Sequence, residues 1–168
     1  MATLIAWHAD VNASNEDGDT ALILACNRGH VEVARMLLAA RRRARIWRTT
    51  ASINGHVNVV RALLATGAHV DATNDGGCTA LICASNHGHV EVVRALLAAG
   101  AGVDAAKNDG WTALICASCD GHVETVRALL AAGANKHLIN NSGGTAYSLA
   151  TSISFSTAAI RALLALAP

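Results

Sequence analysis

The sequence has few aromatic residues, one proline, no long apolar run and almost no net charge. Aromatic residues make up 3% of 168 residues, and Ala, Leu and Val dominate an apolar share of 52%. We therefore expect thin, closely packed helices rather than a core built on large rings. The single proline argues against a proline-rich linker, and the apolar share argues against a disordered chain. The balance of 13 basic and 12 acidic residues argues against a global field for nucleic acid or an anionic membrane.

The sequence also lacks the signals of several functional classes. No apolar run approaches the roughly 20 residues that a membrane helix needs, and the first residues do not form a signal peptide. There is no glycine-rich phosphate loop, nucleophile elbow or His-Glu-x-x-His helix, so we expect a non-enzymatic protein without a cofactor. The odd number of cysteines, five, indicates reduced thiols. We expect a monomer in the cytoplasm or nucleus.

The dominant feature of the chain is a regular internal repeat. The letters TALICAS occur at 79–85 and again at 112–118, an offset of 112 − 79 = 33, and the related TAYSLA begins at residue 145, at the same offset again. A second block, GHVEVVRALLA, starts at Gly88 and returns at Gly121 with Thr125 in place of valine. Weaker copies start at Gly29 and Gly55. So many matches at one period identify a repeat array.

One unit, residues 76–108, predicts a turn followed by two short helices. Thr79 is placed to cap a first helix over 80–86. Apolar residues recur at helical spacing over 90–99, and Gly100 stands where a left-handed residue ends a helix. Helices this short are marginal alone, so each must bury its apolar stripe against the neighbouring unit.

This unit resembles the ankyrin repeat, through Thr-x-Leu-x-x-Ala at the first helix and Gly-His-x-x-x-Val at the second. The resemblance covers about residues 8–165 and implies an all-α solenoid of stacked helix-turn-helix units with short hairpin or turn connections. Ala80 and Ile82 stand where the family usually has Pro and His. Because that histidine carries hydrogen bonds between neighbouring turns, we expect somewhat looser turns in the same fold.

The resemblance divides the single domain, residues 1–168, into about five repeats. A partial leading unit spans 1–14. Regular repeats span 15–46, 74–106 and 107–139, a degenerate repeat without a hairpin spans 47–73, and a terminal repeat spans 140–168.

The second repeat departs most from the period. The step from His30 to His56 is shorter than the regular one, 56 − 30 = 26 instead of 33, and an arginine-rich run from Arg41 to Arg48 replaces the hairpin. We expect the helices on either side still to stack. Arg48 stands at the position of Leu81, so the first helix of this repeat is expected to be poorly packed or shifted.

The arginine run has three interpretations. It is a patch for nucleic acid, nuclear import or anionic lipid. It is a solvated loop beside a helix C-terminus, where cations are mildly favourable. Or it is a local change of reading frame, because alanine and glycine codons read one base out of step give arginine codons. The overall composition does not favour a nucleic-acid partner.

Another alternative concerns the start of the chain. Residues 4–13 align with 63–72, the end of a second helix and its hairpin arm, and no polar capping helix precedes them. The alternative prediction is that the chain is a fragment of a larger ankyrin-repeat protein whose effector domain lies outside these residues.

Two groups of residues suggest metal binding, but the sequence favours structural roles for both. A histidine recurs once per repeat in the turn before the second helix, at His30, His56, His89 and His122. Ligands on neighbouring repeats lie too far apart for one ion. Cys116 and Cys119, with His122, supply only three zinc ligands, and Cys116 stands at a core position. We therefore predict no metal site.

The resemblance implies a partner-binding surface made of the hairpin tips and the exposed, concave side of the first helices. The candidate residues are Asp17, Asp19, Asn27, Arg28, Cys78, Asn86, His87, Asp109, Trp111, Cys119 and Asp120. Trp111 is the leading candidate as an exposed anchor, and the alternative is that its ring packs on a neighbouring hairpin. The predicted function is a protein-interaction scaffold whose rigid stack holds dispersed side chains in place for another protein.

Overall fold

The structure, a computed structural model, describes residues 10–27, 55–150 and 155–166. These contain eight helices in two layers. The first layer consists of α1 (Ala21–Asn27), α3 (Ala80–Asn86), α5 (Ala113–Cys119) and α7 (Ala146–Leu149). The second layer consists of α2 (Gly55–Ala65), α4 (Val90–Ala98), α6 (Val123–Ala131) and α8 (Phe155–Leu166). Each helix contacts the next one in its layer and its partner in the other layer. The predicted all-α solenoid of helix-turn-helix units is confirmed.

A threonine caps the N-terminus of each of α3, α5 and α7 through a short-range hydrogen bond. The Thr79 Oγ1 accepts a hydrogen bond from the Ile82 backbone N–H at 3.3 Å, which satisfies one of the donors that a helix N-terminus leaves free. Thr112 caps α5 in the same way. In α7 the cap is reciprocal, because Ser148 also accepts from the Thr145 backbone N–H at 2.9 Å. The bounds of α3 match the prediction, and α4 ends one residue earlier than predicted.

The core lies between the two layers and is aliphatic. Its largest buried side chains come from the same positions in successive repeats, and they include Leu81, Ile82, Val93, Leu96, Leu114, Ile115, Val126 and Leu129. Ala84 and Ala117 are fully buried, and the first-layer helices that carry them are in contact with each other. Because α3 and α5 are only seven residues long, burial across the stack stabilises them.

Hydrogen bonds between hairpins show which repeats are neighbours. The Asp71 Oδ1 accepts from the Gly102 backbone N–H at 2.9 Å, across 31 residues of sequence. At the start of the array the equivalent bond joins the Asn12 Oδ1 to the His69 N–H at 2.7 Å, across 57 residues. The hairpin at 10–20 therefore stacks directly on the hairpin at 69–79, although the sequence between them is almost twice as long as the regular step.

The same stacking shows which of the described helices are neighbours. α1 and α3 are in direct contact, and the further first helix expected before Gly55 lies outside the described residues. α1 pairs with α2, and together they complete one turn-helix-helix unit from segments far apart in sequence. The physical reason is that each unit needs one helix in each layer, and α2 fills the second-layer position beside α4. The predicted boundary at 46/47 and the run from Arg41 to Arg48 lie outside the described residues.

The last described unit is shorter than the others and more open. α7 has four residues, and Tyr147 is 50% exposed although the equivalent Leu81 and Leu114 are 1% exposed. The Arg161 guanidinium carbon lies 5.4 Å from the centre of the Tyr147 ring. Within the described ranges, no helix combines the length and the apolar character needed to cross a membrane.

Candidate protein-interaction surface

Four hairpins stand side by side along one edge of the stack. We call residues 10–20, 69–79, 102–112 and 135–145 the hairpin row. Each hairpin is closed by a single antiparallel bridge, as between Thr73 and Thr79. The backbones of successive tips are joined directly, since Asp75 N–H donates to the Asp17 carbonyl at 3.1 Å and Asn141 N–H donates to the Asp109 carbonyl at 3.0 Å. The tips therefore form one continuous hydrogen-bonded row.

Asparagine amides add a second set of bonds between tips. The Asn74 Nδ2 donates to the Asp19 carboxylate at 2.8 Å, and the Asn108 Nδ2 donates to the Asp75 carbonyl at 2.9 Å. The Asn141 Nδ2 continues the series at 3.2 Å. The missing histidine predicts a loss of hydrogen bonds between neighbouring turns. Asparagine side chains make such bonds here, so that expectation did not account for the tip residues.

The predicted site residues fall at three places in each repeat. Asp17 and Asp109 are exposed at hairpin tips, and Asp19, Cys78 and Trp111 are half-buried immediately before the capping threonine. The others lie at the ends of first-layer helices or just after them, where Asn86, His87 and Asp120 are exposed and Asn27 and Cys119 are half-buried. Arg28 lies outside the described residues. Since the hairpins stack, equivalent residues of different repeats are brought onto one side of the molecule.

Trp111 is not a fully exposed ring. Its side chain is half-buried and packs against the core, and its backbone N–H donates to the Asp109 Oδ1 at 3.2 Å. The exposed anchor expected from the sequence is therefore only partly available. The reason is that the side chain directly before a capping residue commonly packs against the fourth residue of the helix that follows.

The ends of the first-layer helices are also linked between units. The His87 Nε2 lies 2.7 Å from the Asn27 Oδ1, and the His122 Nε2 lies 3.0 Å from the Asn86 carbonyl oxygen. The backbone N–H of His122 bonds to the Ala117 carbonyl at 2.9 Å, which closes the turn before α6. His122 thus has the structural turn role that the sequence predicted. His30 and the side chain of His56 lie outside the described residues.

The two sides of the stack differ in charge. All four arginines of the described ranges lie on second-layer helices: Arg61, Arg94, Arg127 and Arg161. Nine of the eleven described carboxylates lie in the hairpin row or just after α5: Asp10, Glu16, Asp17, Asp19, Asp71, Asp75, Asp104, Asp109 and Asp120. Two lysines, Lys107 and Lys136, share the hairpin row with them. The near-neutral composition therefore conceals an acidic hairpin row.

The cysteines occupy different environments. Cys26 and Cys116 are buried, and burial raises the pKa of the Cys116 thiol to about 12. Cys116 thus lies in the core, as predicted, and the pKa of the half-buried Cys119 is raised by its burial and by Asp120. In the described part of the chain no three His, Cys, Asp or Glu side chains are grouped to hold a metal ion.

A contact that is not predicted from the sequence joins Cys78 and Cys83, whose sulfur atoms lie 2.9 Å apart. The hydrogen bond from Cys83 lowers the pKa of Cys78, and Lys107 adds to this effect against that of burial. The same bond, with burial, raises the pKa of Cys83. The available sequence signal for this contact was the spacing of the two cysteines. Cys78 directly precedes the helix-capping Thr79, and Cys83 follows Cys78 by five positions.

The fold and the hairpin contacts agree with the comparison to known families. The family model described as "Ankyrin repeats (3 copies)" matches residues 1–74, 49–140 and 96–166. These matches together cover almost the whole chain. Proteins of this family generally mediate protein–protein interactions and are typically non-enzymatic. On this match and on the stacked units described above, the chain belongs to the ankyrin-repeat family.

Proposed function

We propose that this protein is a scaffold that binds a partner protein through the hairpin row and the ends of the first-layer helices. The observation that carries the proposal is the continuous hydrogen bonding of the tips, which brings Asp17 and Asp109 into one exposed row. The family's general role in protein interaction supports it.

The structure of the row favours binding without large rearrangement. Each tip is held by backbone bonds to the next tip and by an asparagine side chain, as at Asn108. Side chains fixed in this way lose little conformational entropy when a partner docks, so more of the contact energy is available for affinity. The half-buried Trp111 contributes the accessible part of its side chain to the same surface.

The charge of the row indicates the kind of partner. An acidic surface attracts a protein segment rich in lysine or arginine and repels the phosphates of nucleic acid. The arginines lie on the second-layer helices, where Arg94 and Arg127 lie 3.8 and 3.5 Å from Glu91 and Glu124. We infer that the partner presents a basic surface to the hairpin row.

Two variants, each replacing an exposed carboxylate with lysine, test the proposal. Asp120→Lys changes an exposed carboxylate at the end of α5, where the helix-ending hydrogen bond uses only its backbone. Glu124→Lys changes an exposed carboxylate four residues later on α6, in the other layer. Wild type and both variants are immobilised and used for affinity capture from an extract of the source organism, and the captured proteins are identified by mass spectrometry.

We expect one partner to be captured by wild type and by Glu124→Lys and to be lost with Asp120→Lys. Its association rate falls as salt is added, because exposed charges are screened. Equal loss with both variants, or capture unaffected by Asp120→Lys, would place the interaction elsewhere on the molecule. Circular dichroism of the three proteins checks that each remains folded.

A further inference from the structure

We propose that Cys78 and Cys83 form a reversible intramolecular disulfide when the protein meets a peroxide, so that the hairpin at 69–79 carries an oxidative modification site. The two thiols lie at the junction of this hairpin and α3. The site does not depend on the proposed partner.

The local fold brings these two residues together. Thr79 is the N-cap of α3, so Cys78 directly precedes the cap and Cys83 is the fourth residue of the helix. Side chains at these two positions commonly pack on each other and fix the angle at which the chain enters a helix. Here the sulfur atoms lie 2.9 Å apart. A disulfide bond of about 2.05 Å requires the two sulfur atoms to approach by about 0.9 Å.

The equivalent positions in neighbouring repeats lack such a pair. Asp19 stands opposite Leu24 in the first unit, and Trp111 stands opposite Cys116 in the next. The thiol pair is therefore specific to one hairpin. Cys116 serves as a natural comparison, since it occupies the position of Cys83 with no thiol at the partner position.

The two thiols differ in access, which sets the order of reaction. Cys78 is half-buried and Cys83 is buried, so peroxide reaches Cys78 first. Lys107 favours the Cys78 thiolate, while Asp19 and Asp109 oppose it. The hydrogen bond from Cys83 also favours that thiolate, and a thiolate is the form that attacks peroxide.

The chemistry balances with one peroxide. The Cys78 thiolate attacks hydrogen peroxide, the O–O bond breaks, and a sulfenic acid forms on Cys78 with release of hydroxide. The Cys83 sulfur then attacks the Cys78 sulfur, the S–O bond breaks, and the oxygen leaves as water with the proton of the Cys83 thiol. Two thiols and one peroxide thus give one disulfide and two waters. A dithiol reductant reverses the modification by exchange.

Peptide mapping of the whole protein tests the site directly. Trypsin releases residues 62–94 as one peptide that contains both Cys78 and Cys83, and residues 108–127 as one peptide that contains Cys116 and Cys119. The protein is treated with hydrogen peroxide, the excess is removed with catalase, and free thiols are alkylated in denaturant. We expect peptide 62–94 to lose two hydrogen atoms and resist alkylation, and peptide 108–127 to take two alkyl groups. Treatment with dithiothreitol restores alkylation of peptide 62–94.

Comparison with the unfolded chain separates the fold from simple proximity in sequence. We expect the disulfide to form at least about tenfold faster in the folded protein than in urea, because the fold holds the sulfur atoms in position. Equal rates would overturn the proposal. So would alkylation of Cys83 after Cys78 has gained oxygen, since the second step would then not occur.

Variants complete the test. In Cys78→Ser we expect Cys83 to remain fully alkylated after peroxide treatment, whereas Cys119→Ser keeps the disulfide of peptide 62–94. Persistent protection of Cys83 in Cys78→Ser would show that another group protects it and would refute the assignment. Serine is close in size to cysteine, and circular dichroism verifies the fold of both variants.

Discussion

Replacement of Leu114 by alanine is the sharpest test of the stacked core. Leu114 lies in α5, is 1% exposed, and belongs to a helix that contacts both α3 and α7. The matched control is Tyr147→Ala, at the same repeat position in the next unit, where the side chain is 50% exposed. The two residues differ because described helices flank α5 on both sides in its layer.

The expected cost follows from the buried carbon atoms. Three carbon atoms leave the core, which costs about 2.4 kcal/mol at about 0.8 kcal/mol for each. The helices around Leu114 are held by hairpin bonds and collapse only partly, so the cavity raises the loss to about 3 kcal/mol, within the usual range of about 2–5 kcal/mol. For Tyr147→Ala we expect about 1 kcal/mol or less, chiefly from the lost contact with Arg161.

Urea and thermal unfolding followed by circular dichroism measure both variants. A loss of about 3 kcal/mol corresponds to a fall in Tm of roughly 6–12 °C for a chain of this size. The urea m-value is compared at the same time, because an array of repeats can lose cooperativity when one interface weakens. A cost below about 1 kcal/mol for Leu114→Ala, or equal costs for the two variants, would refute the argument from stacking.

Three further predictions follow from the hairpins, the buried thiol and the pairing of α1 with α2. Gly110→Ala and Gly100→Ala both place a side chain at positive φ, +81° and +86°, but only at Gly110 does the new carbon atom meet a neighbouring backbone, at 2.9 Å from the Asn140 Cα. Thermal unfolding should therefore show Gly110→Ala to be less stable than Gly100→Ala by about 1–3 kcal/mol. Equal stabilities of the two variants would contradict the tight stacking of the hairpin tips. The pKa of Cys116 is raised from 9.0 to about 12, so this thiol ionises at lower pH in the unfolded chain, and the free energy of unfolding falls as pH rises from 9 towards 12. Urea unfolding across this pH range should show a smaller fall in the free energy of unfolding for Cys116→Ala than for wild type. The same pH dependence in both proteins would argue against a buried neutral thiol. Deletion of residues 29–54 brings α2 close behind α1 in sequence and restores the regular spacing, so we expect a folded chain whose hairpin amides stay protected in hydrogen exchange, and loss of that protection would contradict the pairing of α1 with α2.

Much of the fold was predictable because its signals are local. The threonine cap, the glycine after the second helix and the spacing of apolar residues all act within about ten residues of sequence. They predicted α3 with its correct bounds and Gly100 in the left-handed conformation, which it adopts with φ +86°. The burial of Cys116 followed from its alignment with other core positions.

The candidate surface was less predictable. Position within the repeat indicated which residues lie near the tips, and Asp17, Asp109 and Asp120 are exposed as expected of surface residues. The half-buried state of Trp111 and the contact of Cys78 with Cys83 depend on side-chain directions around the cap. The acidic character of the hairpin row emerges only when the hairpins at 10–20, 69–79 and 102–112, which lie far apart in sequence, are brought side by side.

The sequence by itself determined the repeat, the helix-turn-helix unit and the position of the core, since periodic burial and local capping are written into each unit. Only the tertiary structure showed that α1 pairs with α2. The segments at 29–40 and 55–66 are closely similar, GHVEVARMLLAA and GHVNVVRALLAT, so no local signal distinguishes them. The position of α2 beside α1 is supported by its packing against α4 and by the bond from Asn12 to His69, contacts between residues that the sequence places far apart.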